Sequence, residues 1–383
     1  MTACDPKRML ELTMWRFLPR RVVCVMCAYS SKYRFVWAFA AIVLAACGGD
    51  TGDASVPEPP LATPVFEHDG LDGAVVRHLY SHGDRLFAAT QDGLYGKFLG
   101  QNVWVDLGLS GLQIQGFAIV DDQHWIATTF PTAQPFVDPK LYETVNGGGN
   151  WLQVENDFGP GETQSEAMMA LLYDQETKRL FATGLNTLAS SADYGRTWLL
   201  LDGQWGSTSI LQALDLNSMT QQIWLGGQNG IEESILRQYD LNTLETVVFT
   251  RLFPSPSSIK SATFDPFDPS RVLVAGEGGV LQSADNGNSW INLLGNVDHR
   301  FYFRALLDPQ NSNIIYTAGW TKTDMPQPLI LEISRNRGTS WERHQMTIPG
   351  LFGGVWSMLA TTENNRTVLY LGLNRGGIVR VRL

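Results

Sequence analysis

An eight-residue pattern limits what this chain can fold into more than any other feature, because it occurs four times. The copies are Thr144-Val-Asn146-Gly-Gly148-Gly-Asn-Trp151, Ser191-Ala-Asp193-Tyr-Gly195-Arg-Thr-Trp198, Ser283-Ala-Asp285-Asn-Gly287-Asn-Ser-Trp290 and Ser334-Arg-Asn336-Arg-Gly338-Thr-Ser-Trp341. An Asp or Asn in such a place accepts hydrogen bonds from nearby backbone N–H groups and folds the turn on itself. Glycine tolerates a positive φ, and tryptophan begins the next strand and seals the turn with a large apolar ring. Asn146, Trp151, Asp193, Gly195, Trp198, Asp285, Gly287, Trp290, Asn336, Gly338 and Trp341 are therefore read as structural, and none of these carboxylates as catalytic. A turn that recurs at a steady period marks a repeat architecture.

The tryptophans set the period. Trp104, Trp151 and Trp198 are 47 residues apart, Trp290 follows Trp198 by 92 (two periods with a degenerate copy between), and Trp341 follows Trp290 by 51. Ahead of the turns runs a second shared pattern of apolar strand, turn and apolar strand. Ser261-Ala-Thr-Phe-Asp-Pro with Arg271-Val-Leu-Val-Ala-Gly matches Arg304-Ala-Leu-Leu-Asp-Pro with Ile314-Ile-Tyr-Thr-Ala-Gly. Each repeat is thus four short strands, one blade of a β-propeller. The expected fold is all-β: a seven-bladed β-propeller of four-stranded blades near 75–108, 112–157, 165–205, 209–254, 257–296, 300–349 and 353–383. The seventh blade ends after three strands, and Pro64–His68 is expected to supply its outer strand, which closes the ring and leaves no open sheet edge. Six blades plus a cap is the competing count.

The four turns resemble the Asp box, Ser-x-Asp-x-Gly-x-Thr-Trp, of the bacterial neuraminidase-like repeat families, with Asn146 and Asn336 departing from it. The resemblance spans residues 65–383 and implies the propeller. Sialidases, xyloglucan-cleaving glycosidases, sortilin-type receptors and photosystem II assembly factors share such repeats, so the fold does not choose among enzyme, receptor and scaffold. A sialidase would bring three arginines around a carboxylate, a Tyr–Glu nucleophile pair and an Arg-Ile-Pro motif before the first box. That motif is absent, and no Tyr–Glu pair can be assigned. Xyloglucan-cleaving relatives imply two propellers and two opposed carboxylates. Here there is one propeller, and no spacing pairs Asp92, Asp157, Glu162 or Glu277.

The N-terminal region reads as an address. Lys32 and Arg34 precede the apolar run Phe35–Ala46, which is too short to span a bilayer comfortably and fits the apolar core of a signal peptide. Leu44-Ala45-Ala46-Cys47 resembles the lipobox of bacterial lipoproteins, which implies cleavage before Cys47 and lipidation of its sulfur. Met26 would make a conventional start for this leader. The domain reading is 1–47 N-terminal extension and signal peptide, 48–64 flexible Pro-rich tether, and 65–383 propeller. The expected location is the bacterial cell envelope, with the membrane reached through a lipid anchor only. All four cysteines, Cys4, Cys24, Cys27 and Cys47, lie in the first 47 residues, so the propeller holds neither a disulfide framework nor a Cys-x-x-Cys metal motif.

Residues 1–47 hold seven of the 28 basic and two of the 38 acidic residues, so the rest of the chain carries a net −15 and repels phosphate backbones. Nucleic acid is excluded as a partner. The six dispersed histidines form no metal motif, and no phosphate loop, nucleophile elbow or dinucleotide fingerprint occurs, so no cofactor or metal is expected. Candidate binding residues fall on the face where the outer-to-inner and second-to-third strand loops open. Loops on that rim contribute Asp157, Glu162, Trp205, His299, Arg300, Trp320 and Arg375. Aligned innermost strands place Arg77, Gln115, Met169, Gln212, Ser261, Arg304 and Ser357 around the channel, six of the seven polar in otherwise apolar strands. Such a ring lines a wet channel, and Arg77 with Arg304, joined by Arg375, also makes an anion or carboxylate site. The expectation is a non-enzymatic binding or assembly scaffold for a protein or glycan. A glycoside hydrolase, sialidase-like or glucan-cleaving, is the alternative.

Overall fold

The computed structural model describes residues 63–134, 137–254, 257–294 and 300–383, so Cys47, the tether up to residue 62 and His299 lie outside the described residues. Within them, 28 strands form seven four-stranded antiparallel sheets. This is the seven-bladed propeller, and the six-blade count is excluded. The innermost strands are Val76–His82, Leu112–Ile119, Ala170–Asp174, Ile210–Asn217, Ile259–Asp265, Phe301–Leu307 and Val355–Glu363.

Blade 7 takes its outer strand from the other end of the chain. Val65–His68 pairs antiparallel with Ile378–Arg382, Phe66 opposite Val381 and His68 opposite Val379. The sheet order is the returning strand, Ile378–Arg382, Arg366–Leu373 and Val355–Glu363.

The core is divided among the blade interfaces. Second strands such as Arg85–Thr90 and Trp125–Pro131 are buried almost end to end, because neighbouring blades cover both their faces. Seven clusters of buried apolar residues result, each built from two adjoining blades. Between blades 1 and 2, Phe87 meets Trp125 edge-on with ring centroids 5.0 Å apart, and Phe117 lies 5.4 Å from Phe87. Burying each such ring is worth about 2–3 kcal/mol, so every interface contributes to stability without one central core.

The four repeated turns sit between third and outer strands and fasten each blade to the one before. In the second of them Ser191 Oγ donates to Asp193 Oδ1 (2.7 Å) and accepts from Gly195 N (2.8 Å), while Asp193 Oδ1 accepts from Thr197 N (2.9 Å). Gly338 holds φ 88°, and a Cβ there would stand 2.8 Å from Leu293 of blade 5, so this close approach admits only glycine. Two of the tryptophans reach the same way: Trp151 Nε1 donates to Leu107 O of blade 1 (2.8 Å) and Trp341 Nε1 to Leu293 O of blade 5 (2.9 Å), whereas Trp198 Nε1 donates to Gly195 O within its own turn (2.9 Å). Trp104 keeps this role although its turn has lost the pattern, donating to Asp69 O next to the returning strand (2.8 Å).

Candidate functional site: the central channel and its mouth

Six innermost strands carry a register shift near their start. The shifts fall between Val76 and His78, Ile114 and Gly116, Leu211 and Ala213, Ile259 and Ser261, Tyr302 and Ala305, and Val355 and Ser357. A bulge leaves one residue out of the ladder and re-aims its side chain. The unpaired residues are Arg77, Gln115, Gln212, Lys260, Phe303 with Arg304, and Trp356. In blades 5 and 7 the unpaired residues are Lys260 and Trp356, one place before the aligned Ser261 and Ser357, and all four line the channel. Ser357 is buried and donates to Val76 O of blade 1 (3.3 Å). The third blade's inner strand pairs without a shift.

These strands enclose a channel of about 560 Å³ whose wall includes His78, Tyr80, Gln115, Gln212, Asp215 and Lys260. Its hydrogen bonds cross between blades. Arg77 Nη2 donates to Gln115 Oε1 (3.2 Å), and Gln115 Nε2 donates to Met169 O (3.2 Å). Lys260 Nζ donates to Gln212 Oε1 (2.9 Å). Arg304 Nη2 donates to Asp215 Oδ1 (3.1 Å), whose Oδ2 accepts from Ala262 N (2.9 Å).

Three cations, Arg77, Lys260 and Arg304, thus face two carboxylates, Asp215 and Asp308, in a chain of net charge −10. Burial dominates the titration of Arg77 and Lys260. It lowers Arg77 to about 10, and it lowers Lys260 to about 8 with help from the Arg77 and Lys322 charges. Burial, then the Arg77 and Arg304 charges, holds His78 down at about 3, so its imidazole is neutral at physiological pH. Burial raises the Asp215 carboxyl against the pull of Arg304, and raises the Tyr80 phenol. The other carboxylate of the wall, Asp308, accepts from Tyr316 Oη (2.7 Å), Thr367 Oγ1 (2.6 Å) and two backbone N–H groups.

Aromatic rings gather at the mouth on the loop face. Phe303 stacks on Trp356 at 5.6 Å, Trp320 meets Trp356 edge-on at 5.5 Å, and Phe301 lies 5.4 Å from Trp320. Cations border this group. Arg77 Cζ is 5.7 Å from the Trp356 ring, Lys260 Nζ is 5.5 Å from both Phe301 and Phe303, and Lys322 Nζ is 5.1 Å from Phe301. Arg77 Nε and Trp356 Nε1 are buried donors with no hydrogen-bond partner among the described residues.

Of the residues chosen from sequence, the fold brings Arg77, Gln212, Arg304 and Trp320 to this channel and mouth. Others serve the scaffold. Arg300 lies 3.6 Å from buried Glu332, which Arg343 also pairs at 2.8 Å. Asp157 accepts from Trp198 N (2.8 Å), and Trp205 packs 4.8 Å from Phe158. Glu162 is exposed, and Arg375 is half exposed and 4.0 Å from Asp324 on the rim. Asp92 accepts from Gly111 N (2.5 Å), and Glu277 pairs with Lys322 (3.2 Å). No group of three or more metal-ligating side chains occurs among the described residues. Sequence reasoning missed Lys260, Trp356, Asp215 and the neutral His78. The first two carried a visible signal, a lysine and a tryptophan in innermost strands, one place off the assumed alternation.

No family model matches the chain, and no curated protein matches it. Solved structures match its fold. It is similar to YCF48 bound to D1 peptide, at 13% identity and a TM-score of 0.56, over 87% of this chain and 99% of that one. It is also similar to the GH74 xyloglucanase from Xanthomonas campestris, at 12% identity and a TM-score of 0.62, over 82% of this chain but only 53% of the enzyme. A chain of the mitotic checkpoint complex matches at 12% identity and a TM-score of 0.56, over 90% of this chain and 98% of that one. The likeness is one of fold, which by itself does not choose a function.

Proposed function

We propose that this protein is a non-enzymatic binding scaffold, held at the cell envelope by a lipid on Cys47, whose loop face takes a segment of a partner protein at the channel mouth. The observation that carries the reading is the mouth itself. Phe303, Trp320 and Trp356 offer stacking surface beside Arg77 and Lys260, with two buried donors unpartnered. Large rings and arginine are the residue types that anchor protein interfaces, and the excess of cations favours an acidic segment. The channel-wall carboxylates are Asp215, bound by Arg304, and Asp308, bound by four donors, which speaks against the pair of working carboxylates that glycoside hydrolysis needs. YCF48, similar in fold, is bound to a D1 peptide, which is compatible with a peptide ligand here. A Pro-rich tether after an anchored Cys47 would hold the ring off the membrane.

The test follows tryptophan fluorescence while peptides and sugars are added, with sugar release measured in parallel. An acidic peptide containing aromatic residues is expected to saturate the signal, at least about tenfold tighter than its amide-substituted form, and Arg77→Gln with Trp356→Ala is expected to abolish binding. The full chain is expected in the membrane fraction, and Cys47→Ala in the soluble one. Release of sugar from sialosides or xyloglucan oligosaccharides, lost on Asp215→Asn, would replace this reading with the hydrolase.

A further inference from the structure

Lys260 differs from the other described lysines in what surrounds its nitrogen. Lys97, Lys140 and Lys322 each lie within 3.2 Å of a carboxylate, and Lys178 is exposed. The bulge between Ile259 and Ser261 turns Lys260 into the channel, where its one hydrogen-bond acceptor among the described residues is the neutral amide oxygen of Gln212, 2.9 Å away. Two phenyl rings, Phe301 and Phe303, wall it at 5.5 Å. The charged groups that act on it are Arg77 from blade 1, Glu277 beyond the second strand of blade 5, and Lys322 from blade 6, two cations against one carboxylate that Lys322 itself binds. A lysine desolvated beside other cations is the arrangement that makes an amine nucleophilic at neutral pH. Phe303 stacks on Trp356, and Trp356 carries Arg77 on its face, so a guanidinium with an unpartnered Nε lies across the aromatic pair from the amine.

We propose that Lys260 is a covalent site, an amine that condenses reversibly with small aldehydes and α-keto acids whose carboxylate is held by Arg77 and Trp356 Nε1. The neutral Nζ adds its lone pair to the carbonyl carbon, and the carbonyl oxygen takes a proton to give a carbinolamine. Both amine hydrogens then leave with that oxygen as water, and a C=N bond remains. No electrons are exchanged, and hydrolysis reverses the step. Burial and the neighbouring cations, which bring Lys260 to about 8, leave roughly a fifth of it as free amine at pH 7.4, against about one part in a thousand for an ordinary lysine. The site does not depend on whether a protein segment docks at the mouth.

The full chain is incubated with glyoxylate and sodium cyanoborohydride, which reduces any imine to a stable secondary amine, and labelled lysines are located by peptide mass mapping across pH 6–10. Lys260 is expected to label at least about tenfold faster than Lys178 at pH 7.4, with a rate midpoint near pH 8. Uncharged acetaldehyde is expected to show a smaller preference for Lys260, and Arg77→Gln is expected to remove glyoxylate's advantage. Lys260→Arg removes the fast-labelling site, and should that variant fail to fold, the comparison of lysines within the unaltered chain still decides. Labelling of Lys260 no faster than Lys178, or with the pH dependence of a free lysine, overturns the proposal. Equal preference for glyoxylate and acetaldehyde overturns the carboxylate role of Arg77.

Discussion

His78 stands in the channel wall with Arg77 beside it in sequence and Arg304 acting on it from blade 6. Burial and these two cations hold its folded-state value at about 3, against an ordinary 6.5. Between those values the unfolded chain binds a proton that the folded chain refuses, so native stability is full above pH 6.5 and falls as the pH drops toward 3. The full shift corresponds to a loss of about 5 kcal/mol, reached only at the acid end. Urea unfolding midpoints measured from pH 7.5 down to 5 are expected to fall more steeply for the unaltered chain than for His78→Gln. Parallel curves would mean that His78 takes up its proton in the folded channel, near Asp215. The same balance of charge explains why an anionic group would settle in the lumen of an acidic protein: Arg77 and Lys260 have amide partners there, and only Arg304 has a carboxylate.

Strands and turns differ in how far their sequence discloses them. The turns are legible because their chemistry is local. Asp193 accepts from Ser191 Oγ, Arg196 N and Thr197 N through one oxygen and from Thr197 Oγ1 through the other. Asn336 reproduces this with one bond reversed, its Oδ1 accepting from Ser340 N and its Nδ2 donating to Ser340 Oγ. The acceptor oxygen, and not the charge, therefore holds the turn. Asp193→Ala is expected to cost about 1–2 kcal/mol and Asp193→Asn less than about 0.5 kcal/mol, read from urea midpoints at pH 7, and equal losses in the two variants would return the turn to electrostatics. The innermost strands are less legible. Aligning the innermost strands found Arg77, Gln115, Gln212 and Arg304, but a bulge adds one residue to the count, and nothing in Ile259-Lys260-Ser261 or Val355-Trp356-Ser357 marks where it falls. Hence the alignment named Ser261 and Ser357, which line the channel, and passed over Lys260 and Trp356 beside them, so the aromatic mouth stayed hidden. Asp157, Trp205 and Arg300 fell to a different limit: a loop residue's partner lies in another segment, and Trp198 N, Phe158 and Glu332 are not neighbours in sequence.

A ring of blades must also hold where its two ends meet, and here the latch is a buried ion pair. Asp69 follows the strand Val65–His68 that completes blade 7, and Lys97 belongs to the third strand of blade 1. Lys97 Nζ lies 2.6 and 2.8 Å from the two Asp69 oxygens, with the side chains 1% and 7% exposed. Trp104 Nε1 donates to Asp69 O, and the ammonium sits 5.1 Å from the Trp104 ring and 4.8 Å from that of Tyr370 in blade 7. Removing either partner leaves the other charge buried without compensation, a loss of about 3–5 kcal/mol. Lys97→Met and Asp69→Leu are each expected to lower the urea midpoint by that amount, and the double variant to lose less than the sum, because no stranded charge remains. Strict additivity would show that the apolar interface of Val76, Leu79, Tyr370 and Ile378 closes the ring unaided. Strong coupling would mean that the returning strand is fixed by electrostatics as well as by its ladder.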